Sequence, residues 1–307
     1  MAKGNMLLGM SRGSVGDVTF YRSGGSQRAR ARNRKPANPM TVRQQTQRAK
    51  FANAVKFHKQ VTSNFFRFAY EDKKVNESDY NAFMRHNVGN SGFIGARASK
   101  IASWPALGLW EVTIGSLPEI PNVDAGAATN FVFDLGISST EITTVGALSS
   151  ALIALGDTWR EGDILTVLLY DATGAAGLPT VDTETDHTAG SGFMQFILNS
   201  TDTTPLENVQ CIFNGIGACL SVSAEGFEVV GNDAVFSQRW ATDLLQCAVI
   251  HSRNTAGGLL VSTQSMVANK PQVITDALNE SGTYYNAVLA DWDAAAEAVL
   301  QGGAAAN

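Results

Sequence analysis

The spacing of apolar positions changes character along the chain. Short extended pieces set off by glycine turns come first. Residues 6–10 are apolar, Ser11-Arg12-Gly13-Ser14 predicts a turn, 17–21 (DVTFY) is rich in strand formers, and Ser23-Gly24-Gly25-Ser26 predicts a second turn. Pro36 and Pro39 then break the arm. Thr41 offers a helix N-cap, and residues 42–61 follow without Gly or Pro, which predicts a helix. Its apolar stripe is imperfect, carried either by Ala49, Ala52 and Val55 beside Lys56, or by Phe51, Val55 and the phenylalanines from Phe57 on. A second helix is expected from Ser78, with Tyr80, Phe83, Met84 and Val88 on its apolar face and its end near Gly89.

From Trp104 onward the pattern is that of strands. They are expected at 110–114, 130–135, 164–170, 193–198, 218–222, 227–230, 247–252 and 258–262, with Gly, Pro, Asp, Asn and Thr between them and a hairpin connection at 253–257. Helices are expected at 145–155 and from 271 to 300, the latter perturbed at Thr275, Gly282 or both, and no fixed-period repeat interrupts the series. The reading is an α+β protein in four segments. Residues 1–40 form a basic extended arm and 41–103 a helical section. Residues 104–268 form an antiparallel β body, sandwich or jelly-roll-like, and 269–307 a C-terminal helix and tail.

Charge changes this picture. The net charge of −5 hides two opposite halves: residues 1–100 hold 19 of the 23 Lys and Arg against five acids (net +14), and residues 101–307 hold four bases against 23 acids (net −19). Within residues 1–70, 14 bases face the single acid Asp17. Self-repulsion of that size calls for an external polyanion or a close acidic neighbour. In the run Arg28-Ala29-Arg30-Ala31-Arg32-Asn33-Arg34-Lys35, extended backbone puts Arg28, Arg30, Arg32 and Arg34 on one face, about 6.6 Å apart, a spacing comparable to that of phosphates on a stretched single strand. Arginine suits phosphate because its planar fork bonds two oxygens at once. The candidate nucleic-acid contacts are therefore Arg22, Arg28, Arg30, Arg32, Arg34 and Lys35, with Arg43, Arg48 and Lys50 on the basic side of the first helix. No zinc finger, helix-turn-helix or RNA-recognition pattern accompanies them, so backbone neutralisation without base readout is expected.

Other chemistry finds little support. His58, His86, His187 and His251 are the histidines, and none is accompanied by a G-x-S-x-G elbow. A hydrolase using His187 or His251 is the enzymatic alternative, but no catalytic residue is assigned. Neither a phosphate-binding Gly loop nor a dinucleotide fingerprint is present, so no cofactor is expected. Cys211, Cys219 and Cys247 lack a C-x-x-C pair and read as free thiols in a reducing compartment. Asp182, Glu184, Asp186 and His187 lack the calcium-loop pattern and read as a solvated loop, and Asp291 and Asp293 as surface acids, so no metal is expected. No stretch of about 18 apolar residues predicts a membrane span, and the opening residues lack a signal-peptide core.

The opening MAKGNMLLGMSRGSVGDVTFYRSGGSQRARAR, the step KPANPMTVRQQTQRAKFANAVKF, the later ESDYNAFMRHNVG and the segment VIHSRNTAGGLLVSTQSMV resemble an uncharacterised family found in Bacteroidetes-type bacteria, their mobile elements and phages. The N-P-x-T-x-x-Q-x-x-x-R-x-x-F helix start of that family falls on Asn38, Pro39, Thr41, Gln44 or Gln45, Arg48 and Phe51. The resemblance implies a phage association and no established activity. A basic arm on an acidic β body suits many copies enclosing a polymer. The expectation is thus a phage coat or virion protein, made in the host cytoplasm, that self-associates into a large homo-oligomer and holds DNA or RNA by its phosphates. The alternative is a bacterial non-specific nucleic-acid-binding or adaptor protein that forms no shell.

Overall fold

The computed structural model describes residues 13–23, 26–32, 41–62, 67–92, 106–123, 131–139, 142–171, 190–206, 209–213, 219–221, 227–236, 245–280, 282, 285–286 and 289–290. The chain divides into two compact units, Met1–Thr41 and Val42–Asn307.

The first unit is a three-stranded antiparallel sheet of β1 (Gly13–Val15), β2 (Val18–Ser23) and β3 (Ser26–Ala31) in the order β1-β2-β3. The first predicted turn is displaced. Gly13 and Ser14 lie in β1, and the chain reverses at Gly16-Asp17, between paired Val15 and Val18. Gly16 has φ +56, the left-handed region that a two-residue hairpin turn demands and glycine enters freely. The second hairpin pairs Ser23 with Ser26, on either side of the predicted Gly24-Gly25 turn.

The second unit is α+β, as the patterning predicts. Its elements run α1 (Val42–Thr62), β4 (Ala69–Tyr70), α2 (Asp79–Asn87), β5 (Glu111–Ile114), β6 (Phe131–Ser139), α3 (Val145–Ile153), β7 (Ile164–Asp171), β8 (Gly190–Ile197), β9 (Gln210–Phe213), β10 (Cys219–Ser221), β11 (Phe227–Phe236), β12 (Leu245–Thr255), β13 (Gly258–Val261), β14 (Gln264–Ser265), β15 (Val267–Ala268) and α4 (Pro271–Leu278). The main sheet has the order β10-β9-β8-β7-β12-β13, with β15 also on β12; β6 pairs with β11, and β5 joins β14 and, in parallel, β4.

Alternation along β7, β8 and β12 sends side chains to two separate cores. Leu168, Tyr170, Phe193, Ala248 and Ile250 join a core with α1, α2 and α4. Leu165, Val167, Met194, Phe196, Cys247 and Val249 join a second core with Phe131, Phe133, Leu135 and Ile137 of β6 and with α3. The main sheet is thus faced by helix on one side and by a β ribbon on the other. That is why these strands read as nearly continuous apolar runs.

The α1 contact with the sheet centres on Phe57, which stacks on Trp110 (4.3 Å between centroids, 8° between planes) and meets Tyr170 edge-on at 5.0 Å. The buried side chains of α1 are Thr46, Ala49, Asn53, Ala54, Lys56, Phe57 and Val61. Phe51, placed on the apolar stripe in one of the two sequence readings, is instead half exposed. One polar residue on this line, Asn53, satisfies backbone beside the helix. The Asn53 amide donates to the carbonyls of Leu107 (2.5 Å) and Gly92 (3.3 Å), and Ser91 Oγ donates to the Lys50 carbonyl at 2.6 Å. Burial also lowers the pKa of the Lys56 ammonium to about 8.

Ser78 caps α2 by accepting from Asn81 N at 3.2 Å, as its sequence signal predicts. The single helix expected from 271 to 300 is broken. Thr275 sits within α4, but Asn279 turns extended (φ −76, ψ 110), and residues 285–286 and 289–290 are helical again. At 253–257 the turn is confined to Ala256-Gly257, and Arg253, Asn254 and Thr255 extend β12. Gly115 is required where β5 passes the main sheet, because a Cβ there would overlap the Val261 carbonyl.

Phe57→Ala should remove about 3–5 kcal/mol of stability, read as a lower urea midpoint, since α1, Trp110 and Tyr170 all lose their shared contact.

Candidate nucleic-acid interface

The register of the N-terminal sheet decides which arginines share a face. Thr19 pairs with Arg30 and Tyr21 with Arg28, while Val18 pairs with Ala31 and Phe20 with Ala29. Ser14, opposite Thr19, bonds it hydroxyl to hydroxyl at 2.9 Å. One face therefore carries Ser14, Thr19, Tyr21, Arg28 and Arg30; the other carries Val15, Val18, Phe20, Ala29 and Ala31. Over Arg28–Ala31 the backbone is thus extended, as the one-face reading of the arginines requires.

Arg28, Arg30 and Arg32 are exposed. The Arg30 guanidinium lies 5.6 Å from the Tyr21 ring centroid, within cation–π range, which holds one cation upright on the face. Arg32 N donates to the Asp17 carbonyl at 2.6 Å, carrying the ladder one bond past β3. Backbone pairing of this kind fixes the cations on a stiff strand, so less side-chain and backbone freedom is lost when they meet phosphate.

Arg22 pairs with Gln27 in the backbone of β2, and its side chain lies outside the described ones, as do Arg34 and Lys35 altogether. In the second unit Arg43 and Arg48 are exposed on α1. Lys50 is different: its ammonium donates to Glu280 Oε1 at 2.8 Å, with the side chain only 13% exposed. It takes part in the packing of α1, a role hidden from sequence because its partner lies 230 residues on.

Three of the histidines, His58, His86 and His251, lie among the described residues. His58 is half-buried among Phe68, Tyr80 and Phe83, and its pKa is lowered by burial and then by nearby Arg67. His86 lies between Asp72 (3.0 Å) and Glu111 (3.4 Å), beside an Arg85 that bonds both Asp72 and Glu77. His187 and the neighbouring acids Asp182, Glu184 and Asp186 lie outside the described residues, as do Asp291 and Asp293. Cys247 is a buried free thiol. Among the described residues no group of three or more His, Cys, Asp or Glu is placed to hold a metal ion, and no helix is long and apolar enough to cross a membrane.

His251 is fully buried and belongs to an ion cluster that sequence reading missed. Its Nε2 lies 2.8 Å from Asp163 Oδ2, and its ring stacks on Trp159 at 4.0 Å. Arg253 donates to both oxygens of Asp163 (2.8 and 2.7 Å) and to the Thr158 carbonyl at 2.8 Å. The cluster ties β12 to the loop before β7. Burial pushes the Asp163 carboxyl upward, but bonds from Arg253, His251 and the Arg160 amide outweigh it and hold it below its usual value. Burial is also the largest influence on His251, and it wins over the pull of Asp163 to depress the imidazole. The one detectable sign in the sequence is Arg253 itself, one of four bases among 23 acids.

Comparison with known proteins adds one relation. Residues 10–104 match a family of unknown function, DUF6266. The matched stretch takes in the cationic sheet, α1 and α2 and ends before the β body. No curated protein and no solved structure matches the chain.

Two outcomes follow. If the three exposed arginines of the sheet contact phosphates, replacing Arg28, Arg30 and Arg32 together by Gln should flatten the plot of log affinity against log salt by about 2 to 3. Fluorescence anisotropy with a labelled oligonucleotide across a salt series measures this. In the buried cluster, the folded-state pKa values of both Asp163 and His251 lie below their ordinary ones. The unfolded chain therefore binds more protons, and stability falls as pH drops below the unfolded histidine value of about 6.5 and again through the carboxylate range. Urea midpoints should decline from pH 7.5 to pH 5, and less steeply in His251→Gln.

Proposed function

We propose that the protein is a coat or virion protein of a phage that self-associates and holds nucleic acid without sequence preference through the cationic face of its N-terminal sheet. The observation that carries this reading is the alignment of Arg28 and Arg30 on one face of β3, with Arg32 exposed just beyond it. That array lies in residues 1–100, which carry a net charge of +14, whereas residues 101–307 carry −19. Phosphates are met by arginine forks at regular intervals, without any element that would enter a groove to read bases. The acidic body repels the same polymer, so binding is confined to the N-terminal part. The resemblance of the opening segments to proteins of bacterial mobile elements and phages supports the virion setting.

Purified protein should retain nucleic acid at low salt and form large particles or filaments in negative stain. Removing residues 1–35 should sharply lower the nucleic-acid content of whatever assembles. Monodisperse monomer by light scattering, with oligonucleotide binding intact, would favour the alternative of a non-specific bacterial binding protein.

A further inference from the structure

We propose that a cleft on the acidic body receives an arginine side chain from the basic N-terminal segment of a second copy of this chain. The cleft has a volume of about 240 Å³; its apolar walls are Ile120, Leu135, Leu155 and Trp159, and its charged residues are Glu119 and Asp134. No base lines it. Asp134 spends one oxygen on Gly136 N (2.7 Å), and Glu119 is exposed at the rim. Carboxylates over an aromatic and aliphatic floor repel anions and suit a cation with an apolar stem, which describes an arginine side chain. The planar guanidinium can lie against an indole while bonding a carboxylate, which an ammonium does less well.

The cleft wall is fixed from behind. Trp159 stacks on His251, His251 is tied to Asp163, and Arg253 joins Asp163 to the carbonyl of Thr158, the neighbouring lining residue. A buried ion cluster thus holds two residues of the cleft in place before any ligand arrives, which lowers the cost of binding.

Charge selects the occupant. Of the 23 Lys and Arg, 19 lie in residues 1–100, and Arg28, Arg30 and Arg32 are exposed, whereas the acidic remainder has four bases in all. Successive arginines of an extended run stand about 6.6 Å apart, so one can enter a neighbour's cleft while others stay on phosphate. The inference rests on the self-association in the reading above and supplies it with a contact.

The test uses full-length protein treated with nuclease and compares wild type, Glu119→Lys and, as a control of equal charge change, Asp79→Lys at the exposed start of α2, where Asp79 faces Lys73. Light scattering at low salt should show self-association weakened at least about tenfold by Glu119→Lys and little changed by Asp79→Lys, because like charge in the cleft opposes the incoming guanidinium. A synthetic RARARNRK peptide should dissociate wild-type assemblies and leave residual Glu119→Lys assemblies unaffected. Wild type and Glu119→Lys associating alike would overturn the cleft contact alone, as would equal loss in both variants, which a diffuse attraction to the acidic body gives. Wild type that never associates would remove the self-association reading as well.

Discussion

Two-sided burial of the paired strands β7 and β12 is the constraint on which the second unit depends. Eight consecutive residue pairs join them, from Ile164–Ser252 to Asp171–Leu245, and alternate side chains leave the pair in opposite directions into two different cores. Neither face can meet water without exposing a row of large apolar groups, so each needs its own cover. On one side the cover is α1 with its Phe57–Trp110 stack; on the other it is β6 and α3. At these covers the Asn53 amide nitrogen donates to the Leu107 and Gly92 carbonyls and the Gln246 amide nitrogen to the Gly108 carbonyl, so backbone carbonyls buried there are paired.

Legibility in the sequence follows from how local each determinant is. Strands with strong apolar runs and helices with a hydroxyl cap at the right place, such as α2 after Ser78 and α3 after Thr144, are visible because the signal lies within a few residues. The buried side of α1 is not, since three of its positions are Thr46, Asn53 and Lys56, and Thr46 and Asn53 meet Tyr285 and Leu107, far along the chain. Two-residue strands such as β4, β14 and β15 carry no period at all. At the candidate interface, alternation of Arg and Ala is a local signal and the face it defines is readable. The engagement of Lys50 by Glu280 and the Asp163–His251–Arg253 cluster span 230 and about 90 residues, and no window of sequence joins them.

Charge segregation gives the two units different physics. In the second unit several cations are held by carboxylates: Arg85 by Asp72 and Glu77, Lys50 by Glu280, Lys73 by Asp79 and Arg253 by Asp163. In the N-terminal sheet they stand in series on a strand, exposed, with one acid nearby in sequence. The first arrangement holds a fold together; the second leaves its field directed outward.

The outer rim of β3 has a further consequence. Among the described residues, the strand order β1-β2-β3 leaves β3 with no strand partner along one side, and an apolar face bearing Val15, Val18 and Phe20 lies beneath it. Such a strand is a template for uncontrolled strand addition between molecules, and its arginines are the kind of residue that prevents it, because two such rims repel. A polymer that covers those arginines would cancel the repulsion and expose a growth point at the same moment. Cargo would then open a rim-to-rim contact in addition to any that empty chains already make.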